Sequence, residues 1–577
     1  MGIGRKYKLY LLFSIVLMAY FPAIKNPICS IDDIFIVEAF GVNGSMSLLD
    51  VFRPGRGFYY RPLVNFSYYI DKVLWGLDPS FMHLGNILLH AINTVLVFLL
   101  ASKVSLRTGL RMPQLPLLSA LIFALHPINS EPVNWIAGRT DPLSATFVLM
   151  AAYFLIKSID LNSHKYMYIS LLNMLLGALC KETAIMFIPA AFLLVLRMPG
   201  QNQESSGQLT AERRKSLVLL LVASLVIGIF FLFHLFKRGT DNSISMLLDD
   251  NGLNFLHVIE VVLQAVGFYV KKFFLPLPLN LAIVSVSSYY VWMGIAVIAA
   301  LILLFRNRNI YALFFVIGVL FILPAIVVAL TKMTWTPYAE RYLYIPSVFF
   351  SIGFIALCYM VLNKINKMCW VFPLSLLIIL PAAYVTLQRT FVWQDNLTLM
   401  QDTVNKSPQF GVVRNELAFA LINNGREEEA AKHLEIAQKL DNRDDITRII
   451  TLNQVGRKLQ NKSPEEARAV LLRYVKDKQS ADVELLKLLN RYDESRLSRA
   501  VDNQARRIVA KEIVDTNLHL FSMTREPQCL YRNGQLALLA GDDAKAAEYF
   551  RKAAELAPVG AYYRDSALKL AIKLGKK

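Results

Sequence analysis

At 577 residues, 55% apolar and with a mean hydropathy of +0.42, the chain is too hydrophobic for an ordinary water-soluble protein. Its net charge of +18 does not point to nucleic acid, because most of the excess lies in short runs between apolar stretches, where Lys and Arg set membrane topology. Residues 1–390 hold 30 basic and 17 acidic side chains against 31 and 26 in 391–577, so the solvent changes near residue 390. Five cysteines at no metal-like spacing make neither a zinc site nor a disulfide framework.

The first span runs from Leu9 to about Ile24 behind Arg5, Lys6 and Lys8, and continues into Asn26-Pro27 as a retained anchor. Further apolar runs fall at 82–102, 115–125, 142–156, 166–179, 183–196, 216–236, 290–305, 310–330, 342–362 and 369–387. The segment 253–285 carries Glu260, Lys271 and Lys272. Leaving it outside the bilayer, as an amphipathic or re-entrant piece, puts every basic loop on the cytoplasmic side. The expectation is an all-α polytopic bundle of about eleven spans over 1–390, its amino terminus cytoplasmic. A soluble helical domain over 395–577 then lies on the extracytoplasmic side.

That external face collects the polar sequences, beginning with the long loop 25–80. Asp32-Asp33 follows the first span; adjacent carboxylates cannot point the same way, so one can act as base while the other orients. Ordinary interfacial acids are the plainer alternative. The loop 126–141 holds His126, Glu131, Arg139 and Asp141, ionisable groups that are costly near a membrane unless paired or functional. A metal site from His126, Glu131 and Asp141 is disfavoured, since one His with two acids at this spacing is unspecific. An Arg139–Asp141 or Arg139–Glu131 pair is the structural alternative. Lys181-Glu182 interrupts an apolar stretch, and Glu340-Arg341 opens a span in the same way. Arg139, Lys181 and Arg341 together could hold a diphosphate or phosphodiester at headgroup level.

In the last third, residues 411–444 and 527–560 align at an offset of 116: Gly425 with Gly541, Ala430 with Ala546, Leu434 with Phe550, Ala437 with Ala553. On a 34-residue frame, Gly534, Ala546, Phe550, Ala553 and Pro558 fall where tetratricopeptide (TPR) repeats place small, aromatic and helix-ending residues. About five helical hairpins are expected, with a concave face for a polypeptide or protein partner.

Several motifs follow in order: Asp32-Asp33, Tyr60-Arg61-Pro62-Leu63, Phe81-Met82-His83-Leu84-Gly85-Asn86 through His90, His126-Pro127, Gly138-Arg139-x-Asp141, Lys181-Glu182 and Glu340-Arg341-Tyr342-Leu343-Tyr344-Ile345-Pro346-Ser347. With the repeat tail, they make the chain resemble the transmembrane and tetratricopeptide-repeat-containing O-mannosyltransferases and their bacterial relatives, of the GT-C glycosyltransferase fold. The repeat region is shorter than in the animal members. The resemblance implies an inverting transfer of a sugar, mannose by expectation, from a polyprenyl-phosphate donor to a protein Ser/Thr or other acceptor. It implies a multi-pass protein, of a bacterial inner membrane, with lipid-linked sugar, polypeptide acceptor and membrane lipids as partners and no nucleic acid. Asp32 or Asp33 would be the base and Asp141 a second acid. Arg139, Lys181 and Arg341 would stabilise the phosphate, supported by Arg61, His126, Glu131, Glu182 and Glu340. A divalent ion is compatible with these carboxylates but not favoured. The competing reading is a non-catalytic membrane-anchored repeat scaffold of an envelope complex. A transporter ranks last, because few polar residues, mainly Asn173 and Thr146, lie deep in the spans.

Overall fold

The computed structural model describes residues 3–29, 31–40, 46–52, 60–106, 112–198, 211–238, 255–306, 309–331, 334, 336–440, 464–477, 483–500, 502–557 and 563–575. Among them the chain is all-α, the β contacts amounting to one bridge between Ile283 and Tyr338. Contacts divide it into two units, Met1–Pro408 and Gln409–Lys577.

In the first unit each expected apolar run but 310–330 lies in one continuous helical stretch. Six helical stretches, Arg5–Lys25, Pro79–Ser105, Ala137–Leu161, Tyr311–Thr331, Glu340–Lys364 and Met368–Val392, are long and apolar enough to cross a membrane. Helix Pro79–Ser105 starts sharply because Asp78 accepts from the Ser80 amide and Pro79 needs no N–H partner in the first turn. It packs on helices Ile3–Tyr20, Leu115–Leu125 and Thr140–Leu161. Helix Leu115–Leu125 is buried almost all round. Eleven residues rise only about 16 Å, half of a bilayer core, so it is an inner helix wrapped by the longer ones. The run expected at 310–330 is interrupted between Ile310–Leu320 and Leu323–Thr331, where Pro324 cannot supply a ladder N–H.

The segment 253–285 forms helix Phe255–Phe274 and then an irregular stretch. The helix lies along Tyr290–Arg306, with Phe268 edge-on to Tyr290 at 5.5 Å. Lys272, whose charge counted against membrane depth in the sequence, is buried and bonded to Glu340 at 2.6 Å. Its charge is paired, so of the three charges in this segment it is not one that by itself keeps the segment out of the bilayer. The preceding residues 239–254 lie outside the described ones.

The loops that carry the candidate motifs share one end of the bundle. Helix Leu115–Leu125 ends at His126, helix His164–Cys180 ends at Lys181, and helices Thr140–Leu161 and Tyr344–Lys364 begin there. At the opposite end Lys103 pairs with Asp160 at 3.0 Å and Arg213 donates to the Met198 carbonyl at 2.7 Å. The unit extends past residue 395: helix Asn396–Lys406 is tied to it by Asn396 to the Ile28 carbonyl, Asp402 to Arg389 and Ser407 to Asn280.

In the second unit, helices Gly411–Asn423 and Glu427–Leu440 form one hairpin, Pro527–Ala540 and Asp543–Leu556 another. The 116-residue offset is repeated in the backbone, for Gly425 and Gly541 both adopt left-handed φ angles, +74° and +82°. Residues 441–463 lie outside the described residues, so the expected five hairpins are not countable. Ala546, Phe550 and Ala553 are buried, and a Cβ at Gly534 would meet the Phe550 ring at 2.6 Å. The aromatic fills the groove that glycine leaves. Gly534→Val is therefore expected to destabilise this unit by about 1–3 kcal/mol through overpacking. Phe550→Leu in the same chain should restore part of that, read as the melting transition of the full chain; no loss in the single variant would refute the contact.

Candidate active site

Site geometry begins with the two aspartates. The Asp33 carboxylate is buried and accepts the Ala137 amide at 2.7 Å and the Cys29 amide at 3.0 Å. Trp135 adds an indole bond to the Ile31 carbonyl at 3.1 Å. Asp33 thereby pins the segment after the first span to the 135–137 turn. Asp32, held at φ +61°, points the other way: it is exposed and enters none of the ion pairs among the described residues. Its low-polarity surroundings push the carboxyl upward, while Arg341 and Arg61 pull it back.

Burial pushes Asp33 up from 3.8 to about 7, against the pull of the two backbone amides. A carboxyl raised on folding favours the protonated folded state, so its contribution is complete below pH 3.8 and is lost as pH rises to about 7. The stability difference between wild type and Asp33→Asn is thus expected to change between about pH 4 and 7 and to be level above. A difference constant across that window, measured by thermal unfolding, would count against it.

Around Asp32 lies a ring of paired charges. Arg61 holds Glu182 at 2.8 Å, Lys181 holds Asp141 at 2.6 Å, and Arg341 holds Glu131 at 2.7 Å. The Tyr342 ring sits between two of the cations, 5.5 Å from the Lys181 ammonium and 5.2 Å from the Arg341 guanidinium. Burial lowers the Lys181 pKa and Asp141 opposes it.

Arg139 does not join this ring. It is buried, and its guanidinium bonds Asn86 at 2.8 Å, the Met82 carbonyl at 2.9 Å and the Asp71 carboxylate. These partners engage all three guanidinium nitrogens, which is the geometry of a brace. The alternative pairs Arg139–Asp141 and Arg139–Glu131 are replaced by Arg139–Asp71. His126 is likewise committed, Nε2 to the Phe273 carbonyl at 2.7 Å and Nδ1 accepting the Ile128 amide, which turns it away from Glu131 and Asp141. Among the described residues no group of three His, Cys, Asp or Glu could hold a metal ion. Glu340 anchors Lys272 and the Asn280 amide and stands beside the ring.

Asp71 escaped the sequence reading, and Asn86 and Lys272, both named there, were given no part in the site. An ionisable residue in an apolar stretch requires a partner, and that rule could have flagged Asp71 and sent Lys272 in search of an acid. Polar groups deep in the bundle also exceed expectation. His90 bonds Tyr344 at 2.7 Å and the Ala124 carbonyl at 3.0 Å, and Asn93 bonds the Pro142 carbonyl at 2.8 Å. The short list of Asn173 and Thr146 is corrected accordingly.

An all-α membrane bundle with a charged, carboxylate-bearing site at one end, followed by helical hairpins, is the architecture of the class expected from the motifs. Sequence comparison agrees. The chain is 24% identical over 463 residues to protein O-mannosyl-transferase F38B6.6 of Caenorhabditis elegans, covering 75% of this chain and 62% of that protein. It is 26% identical over 416 residues to protein O-mannosyl-transferase TMTC3 of Mus musculus, covering 65% and 43%. A segment of 98 residues, 17% of this chain, is 39% identical to 11% of human protein O-mannosyl-transferase TMTC2. The chain spans less than two thirds of the length of each of these relatives. No family model matches it. Its resemblance to the TMTC-type O-mannosyltransferases is thus carried by sequence along much of its length.

Proposed function

We propose that the chain is a membrane glycosyltransferase moving mannose from a polyprenyl-phosphate donor to Ser or Thr of a polypeptide on the extracytoplasmic side. The observation that carries this is Asp32, an exposed carboxylate with no ion pair among the described residues, within electrostatic reach of Arg341 and Arg61 and next to the pinned Asp33. The acceptor oxygen attacks the anomeric carbon while its proton passes to Asp32. The bond from that carbon to the phosphate oxygen breaks, and its electron pair leaves on the polyprenyl phosphate, giving inversion in one displacement. Arg341, Lys181 and Arg61 stabilise the charge growing on that phosphate. Asp33 acts as a positioning residue, and Arg139 braces the turn behind it. An apolar cavity of about 580 Å³ with Ile122, Leu125, Phe273, Phe274, Leu377 and Pro381 in its lining suits an isoprenoid tail.

The amino terminus is cytoplasmic in this reading and the membrane a bacterial inner one. The repeat unit is extracytoplasmic in this reading and binds the acceptor or a protein partner. Offered nucleotide-activated mannose and mannosyl-phosphopolyprenol in parallel, the purified full chain is expected to consume only the lipid donor. Use of the soluble nucleotide sugar with the lipid donor untouched would sink the reading.

A further inference from the structure

In the second unit, helix Arg564–Leu574 is packed on one side only. Ala567 and Ala571 are buried in the core around Phe550, and Leu570 and Leu574 lean on it. Leu568 and Ile572 face away, each 52% exposed. Four residues apart, they form one stripe on the helix surface. Lys569 and Lys573 make a parallel stripe beside it, also exposed and in none of the ion pairs among the described residues. The preceding helix, Asp543–Leu556, is different, for its Lys545 pairs with Asp542 at 3.3 Å and its Lys552 with Glu548 at 2.7 Å. Arg551 adds a further cation, its guanidinium 3.9 Å from where a Cβ on Gly575 would stand. The sequence runs on into Lys576-Lys577, so residues 564–577 hold Arg564 and four lysines against Asp565 as the single acid.

An apolar stripe bordered by lysines without acids suits a partner that is apolar beneath and anionic on top. A bilayer of anionic phospholipid has that profile. Leu568 and Ile572 can enter below the headgroups while the Lys569 and Lys573 ammonium groups stay among the phosphates, their alkyl stems lying along the apolar layer. A second copy fits less well. A two-fold contact through this face sets the same lysines against each other, and two side chains from one helix fall short of the roughly 800 Å² per partner that a stable contact buries. The six candidate spans of the first unit hold the chain in a bilayer, so a lipid surface is always present at high effective concentration. We propose that the exposed face of helix Arg564–Leu574 is a docking surface for anionic phospholipid, attaching the repeat unit to the membrane that holds the first unit. This stands whether or not the chain transfers sugar.

The test is amide hydrogen exchange of the full chain in nanodiscs of pure phosphatidylcholine and of equal parts phosphatidylcholine and phosphatidylglycerol. Each lysine near an anionic surface strengthens attachment about fivefold, so Lys569 and Lys573 together contribute about 25-fold. Exchange over 564–575 is expected to slow by about tenfold or more in the anionic discs, and high salt should remove the slowing. Lys569→Gln with Lys573→Gln should bring it below about twofold, and Leu568→Ser with Ile572→Ser should reduce it with the charges intact. All four positions are exposed, and the salt arm needs no variant. Exchange equal in the two lipids overturns the proposal, as does slowing in the anionic discs that survives both salt and the lysine substitutions. Slowing already present in pure phosphatidylcholine that grows with the number of chains per disc overturns it in favour of a second copy.

Discussion

Asp32→Asn is expected to lower the transfer rate by about 10²–10⁴-fold, the range spanned by a general base, with little change in the melting temperature of the full chain. The side chain is exposed and enters no ion pair among the described residues, so amidation removes the proton acceptor and little else. Its neighbour should behave in the opposite way. Asp33 uses both carboxylate oxygens on backbone amides. In Asp33→Asn one of those amides faces an NH₂ group and loses its acceptor, which in a buried place costs about 1–3 kcal/mol. The expected result is a destabilised chain whose remaining folded fraction retains measurable transfer. The two variants read together separate chemistry from support: equal transfer losses with equal melting temperatures would contradict the division of labour between them.

The second large effect concerns the buried pair Lys181–Asp141, whose side chains are 6% and 3% exposed. Lys181→Met leaves Asp141 buried with an uncompensated charge, and breaking a pair in this way costs about 3–5 kcal/mol. Removing both charges together, in Lys181→Met with Asp141→Leu, should recover most of that stability, because two apolar side chains of similar bulk avoid the desolvation cost altogether. Transfer should stay low in the double variant if Lys181 also meets the donor phosphate. Thermal unfolding in detergent gives the first comparison and a transfer assay the second. A single variant as stable as wild type would mean the pair is solvated and the charge ring looser than its geometry implies.

Much of the fold was legible because long apolar runs obey one strong rule, the length a helix needs to cross a bilayer. Antiparallel helices alternate their ends, so loops separated in sequence by an even number of spans must meet. That is why Asp32, Glu131, Lys181 and Arg341 could be gathered on one face from sequence alone. The partner of each charge was not legible. Lys181 finds Asp141 40 residues away, Lys272 finds Glu340 at 68, and Arg341 finds Glu131 at 210. Those choices depend on helix rotation and packing, which hydropathy does not encode. Arg139 shows the consequence: by residue type it suited a phosphate, but Asp71 and Asn86 on the neighbouring helices Pro62–Trp75 and Pro79–Ser105 claim it first. In the repeat unit the small residue at Gly534 and the aromatic at Phe550 were legible because both fall at their places in the 34-residue repeat frame.

Transfer of labelled mannose from mannosyl-phosphopolyprenol to a Ser/Thr-rich peptide, by the purified full chain in liposomes, bears most directly on a glycosyl-transfer site at Asp32. The predicted result is label on the peptide, released by base-catalysed β-elimination, with none above background for Asp32→Asn. Label that stays in the lipid with the wild-type chain, or that reaches the peptide equally with Asp32→Asn, would contradict it.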